Sequence, residues 1–128
     1  MASKTKTPAA AAAVAPDQHI IDELFATVKR RRRASPEQSY TARLFSRGRP
    51  QIAKKLGEEA VEVVVAALAQ DKKALISESG DLFFHLLVLW AEAGVKPDQV
   101  WKELERRFGI SGIAEKQSRG GAPAPAKP

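Results

Sequence analysis

Two groups of acidic side chains have the spacing and the surroundings of a cation site. Between Leu56 and Ala69 the only polar side chains are Glu58, Glu59 and Glu62, and on a helix they lie within about 100° of one another. They form one acidic stripe, bordered by Ile52, Leu56 and Val63 on one side and by Val61 and Val65 on the other. Glu58 and Glu62 are like charges one turn apart, an arrangement that costs an isolated helix roughly a few tenths of a kcal/mol. Neither has a basic residue one turn further on to compensate, so local helix stability does not account for them. A second set, Glu78, Asp81 and His85, falls on one stripe of the following segment, surrounded by Leu82, Phe83, Phe84 and the run Leu86 to Trp90. An unpaired carboxylate in such apolar surroundings is costly. The two sets therefore predict a divalent cation held between two helices. Magnesium suits all-oxygen ligation, keeps several waters and bridges carboxylates to phosphate oxygens. Zinc usually takes more nitrogen or sulfur, and the chain has no cysteine.

Other side chains have a functional and a structural reading side by side. Lys54 and Lys55 stand one turn before Glu58 and Glu59, so they serve either as helical ion-pair partners or as contacts for substrate phosphate beside the metal, Lys55 nearer the acidic stripe. Arg43 is a phosphate contact or a solvated arginine near a helix end. His85, one turn beyond Asp81, is expected as a core histidine satisfied by backbone or a neighbouring helix in preference to a residue orienting Asp81. It is not counted as a metal ligand. Trp90 and Trp101 read as core or subunit-contact residues.

The elements that must position these residues are helical throughout. Asp17 can cap a first helix with Ile20, Ile21, Leu24, Phe25 and Val28 on one face, ended by the basic run Lys29 to Arg33. Ser35, Pro36 and Glu37 form a helix-start signature before a short helix carrying Tyr40, Leu44 and Phe45. Pro50 opens a long helix to about Ala69, Asp71 caps another from Lys72 to about Ala93, and Gly94 stops it. Pro97 starts a last helix with Val100, Trp101, Leu104 and Phe108 on one side, closed by Gly109. The expected fold class is all-α, a helical bundle built on a long antiparallel helix hairpin. Because Leu82 to Trp90 is apolar nearly all round, one chain is expected to leave it partly uncovered and a homodimer to complete the bundle.

The 128 residues suit one domain, expected over residues 17 to 116, with disordered tails at 1 to 16 and 117 to 128 that are rich in Ala, Pro, Gly and Lys. An apolar share of 44% with 28% charged residues is that of a soluble globular protein. Without cysteine there is no disulfide framework, thiol nucleophile or cysteine-held metal, in keeping with a cytoplasmic protein. No apolar run reaches the roughly 20 residues of a membrane span, so no membrane partner is expected. The net charge of +6 favours anionic partners, and a basic helical nucleic-acid-binding protein is the alternative of another class. That alternative leaves the acidic stripes unexplained and lacks aromatics interleaved with the basic run. A small nucleotide is the expected partner, nucleic acid is not.

At the level of motifs, Glu59-x-x-Glu62 followed by Glu78-x-x-Asp81 resembles the metal signature of the all-α nucleotide pyrophosphohydrolases. Ser39-Tyr40-Thr41-Ala42-Arg43-Leu44, Ile52-Ala53-Lys54-Lys55-x-Gly57-Glu58-Glu59, Asp81-x-x-x-His85-Leu86-Leu87-Val88-Leu89 and the terminal Leu104 to Gly109, Ser111-Gly112 and Glu115-Lys116 resemble, in order, the blocks of the phosphoribosyl-ATP pyrophosphatase family of histidine biosynthesis. The resemblance covers residues 20 to 119. It implies magnesium-dependent hydrolysis of phosphoribosyl-ATP to phosphoribosyl-AMP and pyrophosphate, by water attack on the α,β-phosphoanhydride. It assigns ligation to Glu59, Glu62, Glu78 and Asp81, with Glu58 as an extra ligand or base, and it also points to paired subunits. The nearer alternative keeps the chemistry and changes the substrate to a house-cleaning nucleoside triphosphate.

Overall fold

The computed structural model describes residues 18–108 and 116–119. It holds five principal helices: α1 (Gln18–Arg31), α2 (Tyr40–Ser46), α3 (Arg49–Ala69), α4 (Lys72–Ala93) and α5 (Pro97–Arg107). No strand occurs among the described residues, and the fold is all-α. Two compact units are distinguished, one ending at Val95 and one beginning at Lys96.

In the first unit α3 and α4 form a helical hairpin joined by Gln70 and Asp71 alone. The Asp71 side chain accepts from the Ala74 N–H at 2.9 Å, so the expected cap forms. Gly94 closes α4 with φ 75°, a left-handed conformation that costs glycine little. At the other end of α3, Gly48 turns the chain with φ 86° and Pro50 occupies the first turn. These local signals set the length and pairing of the two arms, and hence which carboxylates face each other.

α1 packs on α4, and α2 fills the corner against both arms. Val28, Leu44, Ile52 and Val88 make the buried cluster, with Leu24, Phe45, Phe84, Leu89 and Ala91 packed around it. Val28, Leu44, Ile52 and Val88 each contribute about 1.5–3 kcal/mol on leaving water. Ser39, whose hydroxyl accepts from the Ala42 N–H, is the cap of α2. The Ser35-Pro36-Glu37 signature makes only a hydrogen-bonded turn, in which the Ser35 carbonyl accepts from the N–H groups of Gln38 and Ser39. One turn is all it can start, because the next good cap, Ser39, follows immediately.

The apolar surface left uncovered extends beyond the segment at which the sequence places it. Within Leu82 to Trp90 only Phe83 is exposed, whereas His85, Leu87 and Val88 are buried because α1 and α2 lie over this end of the hairpin. The uncovered apolar stripe is on α3, where Val61, Val64, Val65 and Leu68 recur at helical spacing, with Ile76 and Phe83 on α4. By length and composition α4 could cross a membrane. Its Glu78, Asp81 and His85 and its packing along α3 are those of a central bundle helix.

Part of the basic run is built into the first unit. Arg32 lies over the Phe45 ring at 4.5 Å, pairs with Glu92 at 3.0 Å and donates to the Ala91 carbonyl. Lys29 sits over Phe25. In the second unit, the Lys96 N–H donates to the Gln99 side chain at the start of α5. Arg106 and Arg107 both pair with Glu103 at 2.8 Å and hold its carboxyl down to about 2. Residues 116–119 form a short exposed helical turn. The Asp17 cap, the Gly109 stop, Ser111, Gly112, Glu115 and the segments 1 to 16 and 120 to 128 lie outside the described residues.

Candidate metal centre and adjoining cavity

The hairpin brings Glu59 of α3 against Glu78 and Asp81 of α4, with one carboxylate oxygen of each within 4.8 Å of the others. Glu59 is buried, 8% exposed, Glu78 is half-buried and Asp81 is exposed, so the cluster runs from the hairpin interior to its surface. Glu62, the fourth expected ligand, is exposed and lies outside this set. Its charge nevertheless reaches Glu78. Partial burial, followed by the charges of Asp81, Glu62 and Glu59 and a hydrogen bond with the Asp81 carboxyl, raises the Glu78 pKa above its ordinary value of 4.5. Mutual repulsion of this kind is what a bound cation relieves.

The donors available to such a cation are all hard oxygens. His85 contributes nothing, since both of its ring nitrogens are engaged elsewhere. Nδ1 lies 2.8 Å from the Asp81 backbone carbonyl, and Nε2 lies 3.1 Å from the Tyr40 hydroxyl. The ring is 5% exposed and meets Phe84 edge-on at 5.0 Å. This is the satisfied core histidine that the sequence favours, and it fits magnesium better than zinc.

Lys55 binds the edge of the cluster, 3.2 Å from Glu59 and 3.7 Å from Glu58. The hydrogen bond to Glu59, assisted by the negative potential of its neighbours and partly opposed by burial, raises its pKa above 10.5. The ion-pair reading of Lys55 is met, one turn from Glu59, and the side chain also borders a cavity. That cavity, of about 320 Å³, is lined by Tyr40, Leu44 and Arg47 of the α2 region and by Gln51, Lys54, Lys55 and Glu58 of α3. Glu58 is thus on the cavity wall beside the acidic cluster and not within it.

Arg43 does not line the cavity. Its guanidinium donates to the Pro36 carbonyl at 3.2 Å and ties α2 to the preceding turn. Arg47 and Gln51 occupy the wall instead, and sequence reasoning missed both. A signal existed for Gln51: it stands one turn before Lys55 and two before Glu58, on the same helical face. Nothing comparable marks Arg47, which caps α2 and reaches the cavity only because Gly48 turns the chain beside it.

A sequence model of the family described as Phosphoribosyl-ATP pyrophosphohydrolase matches residues 21–108. A phosphoribosyl-ATP pyrophosphatase of Paramagnetospirillum magneticum is 56% identical over 106 residues, covering 83% of this chain and 97% of that protein. One from Azospirillum brasilense is 57% identical over 78% of this chain and 90% of its own length. One from Zymomonas mobilis is 59% identical over 72% and 86%.

Proposed function

The chain belongs to the phosphoribosyl-ATP pyrophosphohydrolase family, and from that premise we propose how its hairpin performs the reaction. The chain hydrolyses phosphoribosyl-ATP to phosphoribosyl-AMP and pyrophosphate, the second step of histidine biosynthesis. The observation that carries the reading is the convergence of Glu59, Glu78 and Asp81 beside a cavity walled by Arg47, Lys54 and Lys55. Negative charge converging from two helices suits a cation, and positive charge next to it suits the phosphate chain that the cation accompanies.

Glu59, Glu62, Glu78 and Asp81 hold magnesium in this reading, Glu62 from the exposed turn after Glu59. Magnesium would neutralise phosphate charge, orient the triphosphate and make a water more acidic. Lys54, Lys55 and Arg47 bind phosphate oxygens and keep the α,β-anhydride over the acidic stripe. Glu58, next to the cluster, accepts the proton of the attacking water or joins the ligands. His85 and Tyr40 brace α4 against α2 from behind the carboxylates. The reaction takes place in the cytoplasm, and the active form is a homodimer joined through the stripe of Val61, Val64, Val65 and Leu68. Support for the dimer is the exposure of these four residues, from 40% to 82%, on one face of one helix.

Pyrophosphate release from phosphoribosyl-ATP and from common nucleoside triphosphates, with and without magnesium, tests the assignment. The expected result is magnesium-dependent turnover of phosphoribosyl-ATP, lost by at least about a hundredfold in Glu59→Gln and Asp81→Asn while helicity is retained. Near-normal rates in both variants would overturn the metal site, and preference for a common triphosphate would overturn the substrate.

A further inference from the structure

We propose that Tyr40, its hydroxyl fixed as a hydrogen-bond acceptor by the buried His85, is a specificity-determining residue that reads a ribose hydroxyl of the substrate in the cavity beside the acidic cluster. The inference rests on the function proposed above and goes beyond it by assigning a recognition role to a pair that the chemistry does not use.

A carbonyl oxygen can only accept, so the 2.8 Å contact between His85 Nδ1 and the Asp81 carbonyl places a proton on Nδ1. In the neutral ring Nε2 is then an acceptor, and its partner at 3.1 Å, the Tyr40 hydroxyl, must donate to it. His85 is 5% exposed and packed edge-on against Phe84, so it does not turn to offer the other nitrogen. The only proton of the Tyr40 hydroxyl is therefore spent inside the protein.

What the hydroxyl retains is lone-pair density. Tyr40 is 47% exposed and lines the cavity together with Lys54, Lys55 and Glu58. A phosphate oxygen, itself an acceptor, gains nothing from a tyrosine in this state. A ligand O–H does. The same wall carries the cations that suit phosphate and borders the carboxylates proposed to hold the metal. The hydroxyls nearest the reacting α-phosphate are those of the ribose that bears it. Tyr40 thus complements the cationic wall: Arg47, Lys54 and Lys55 meet the phosphate chain, and Tyr40 meets the sugar.

His85 acts through Tyr40 and is a positioning residue. Replacing it with leucine removes the acceptor and frees the tyrosine proton to point into the cavity. Glutamine can in principle donate to the Asp81 carbonyl and accept from Tyr40, and is the conservative variant.

The test uses the full-length protein with ATP, 2′-deoxy-ATP and 3′-deoxy-ATP as competitive inhibitors of phosphoribosyl-ATP hydrolysis, and inorganic pyrophosphate as a sugar-free probe. Wild type is expected to prefer ATP to one of the two deoxy analogues by about five- to tenfold, the value of one net hydrogen bond. Tyr40→Phe and His85→Leu should both bring that ratio near one and leave pyrophosphate inhibition unchanged, and His85→Gln should recover part of it. Melting curves on each variant show that the fold is intact. Wild type without a ribose preference, or Tyr40→Phe that keeps it, overturns the proposal. A preference lost in Tyr40→Phe but kept in His85→Leu overturns the acceptor lock. These outcomes are separate from failure of the proposed function, in which wild type would not turn over phosphoribosyl-ATP at all.

Discussion

At the scale of single residues, the side chain under most tension is Glu78. Partial burial and three neighbouring carboxylates raise its pKa, so the metal-free fold binds its proton more tightly than the unfolded chain does. The sign follows from linkage: this group makes the metal-free protein less stable as pH rises from its ordinary value of 4.5 through the raised folded value. Glu78→Gln removes the effect. In chelator, the variant is expected to gain in melting temperature relative to wild type between about pH 4 and about pH 7. Excess magnesium should narrow the gap at the upper pH. A gap that does not change with pH would mean that Glu78 is an ordinary solvated carboxylate. The Lys55 pKa is also raised, but there the charged form gains, its ammonium held by Glu59. Its ion pair is present at neutral pH and is lost only as pH rises through a value above 10.5.

Among the elements of the first unit, α4 is the one against which α1, α2 and α3 all pack. Leu87 and Val88 are fully enclosed where α1 and α2 cover the hairpin. Leu87→Ala should cost about 2–5 kcal/mol, read as a lower urea midpoint with unchanged slope. Asp71→Ala, which removes one cap hydrogen bond, should cost about 1 kcal/mol. If the Leu87 variant cost no more than the cap variant, the core would be more loosely packed than the geometry indicates. The helix limits were legible in the sequence because Asp71, Gly48, Pro50 and Gly94 act within one turn of themselves. The acidic cluster was legible because residues three and four apart share a helix face, and a short connection aligns two such faces. The place of Arg47 on the cavity wall, the hydrogen bond between His85 and Tyr40, and the choice of which apolar face is covered all depend on contacts between helices or on turns of the chain. Period alone does not contain them. Arg32 teaches the same lesson: in sequence it is one of a row of five cations, and in space it is tied to Phe45, Glu92 and Ala91.

For the molecule as a whole, the uncovered stripe of α3 is the surface on which the proposed dimer is tested. Val61, Val64, Val65 and Leu68 offer a continuous apolar face, Leu68 being 82% exposed, and a two-fold contact would pair the stripe with its own copy. At micromolar concentration the protein should sediment at about twice 13.9 kDa. Leu68→Asp should shift it toward the single-chain mass, since an unpaired charge in an apolar contact is strongly unfavourable. A wild-type species of 13.9 kDa with full activity would refute the dimer. Sequence reasoning placed the dimer contact at Leu82 to Trp90, of which only Phe83 is exposed, because period alone does not tell which part of the hairpin α1 and α2 cover.

The connection between the hairpin arms has a kinetic consequence. Gln70 and Asp71 are the only residues between α3 and α4, so the two halves of the carboxylate cluster meet after closing one of the shortest loops the chain can form. The entropy of that closure is small, and contacts so local in sequence form early. What opposes the encounter is charge, because closing the hairpin brings Glu59 against Glu78 and Asp81. A divalent cation present during refolding would remove that resistance at the moment it matters. Magnesium should therefore accelerate refolding after dilution from urea, and Glu59→Gln should fold as fast in chelator as wild type does in magnesium. A stopped-flow refolding rate indifferent to both would place the meeting of the carboxylates after the transition state, with α1 and α2 already docked against α4.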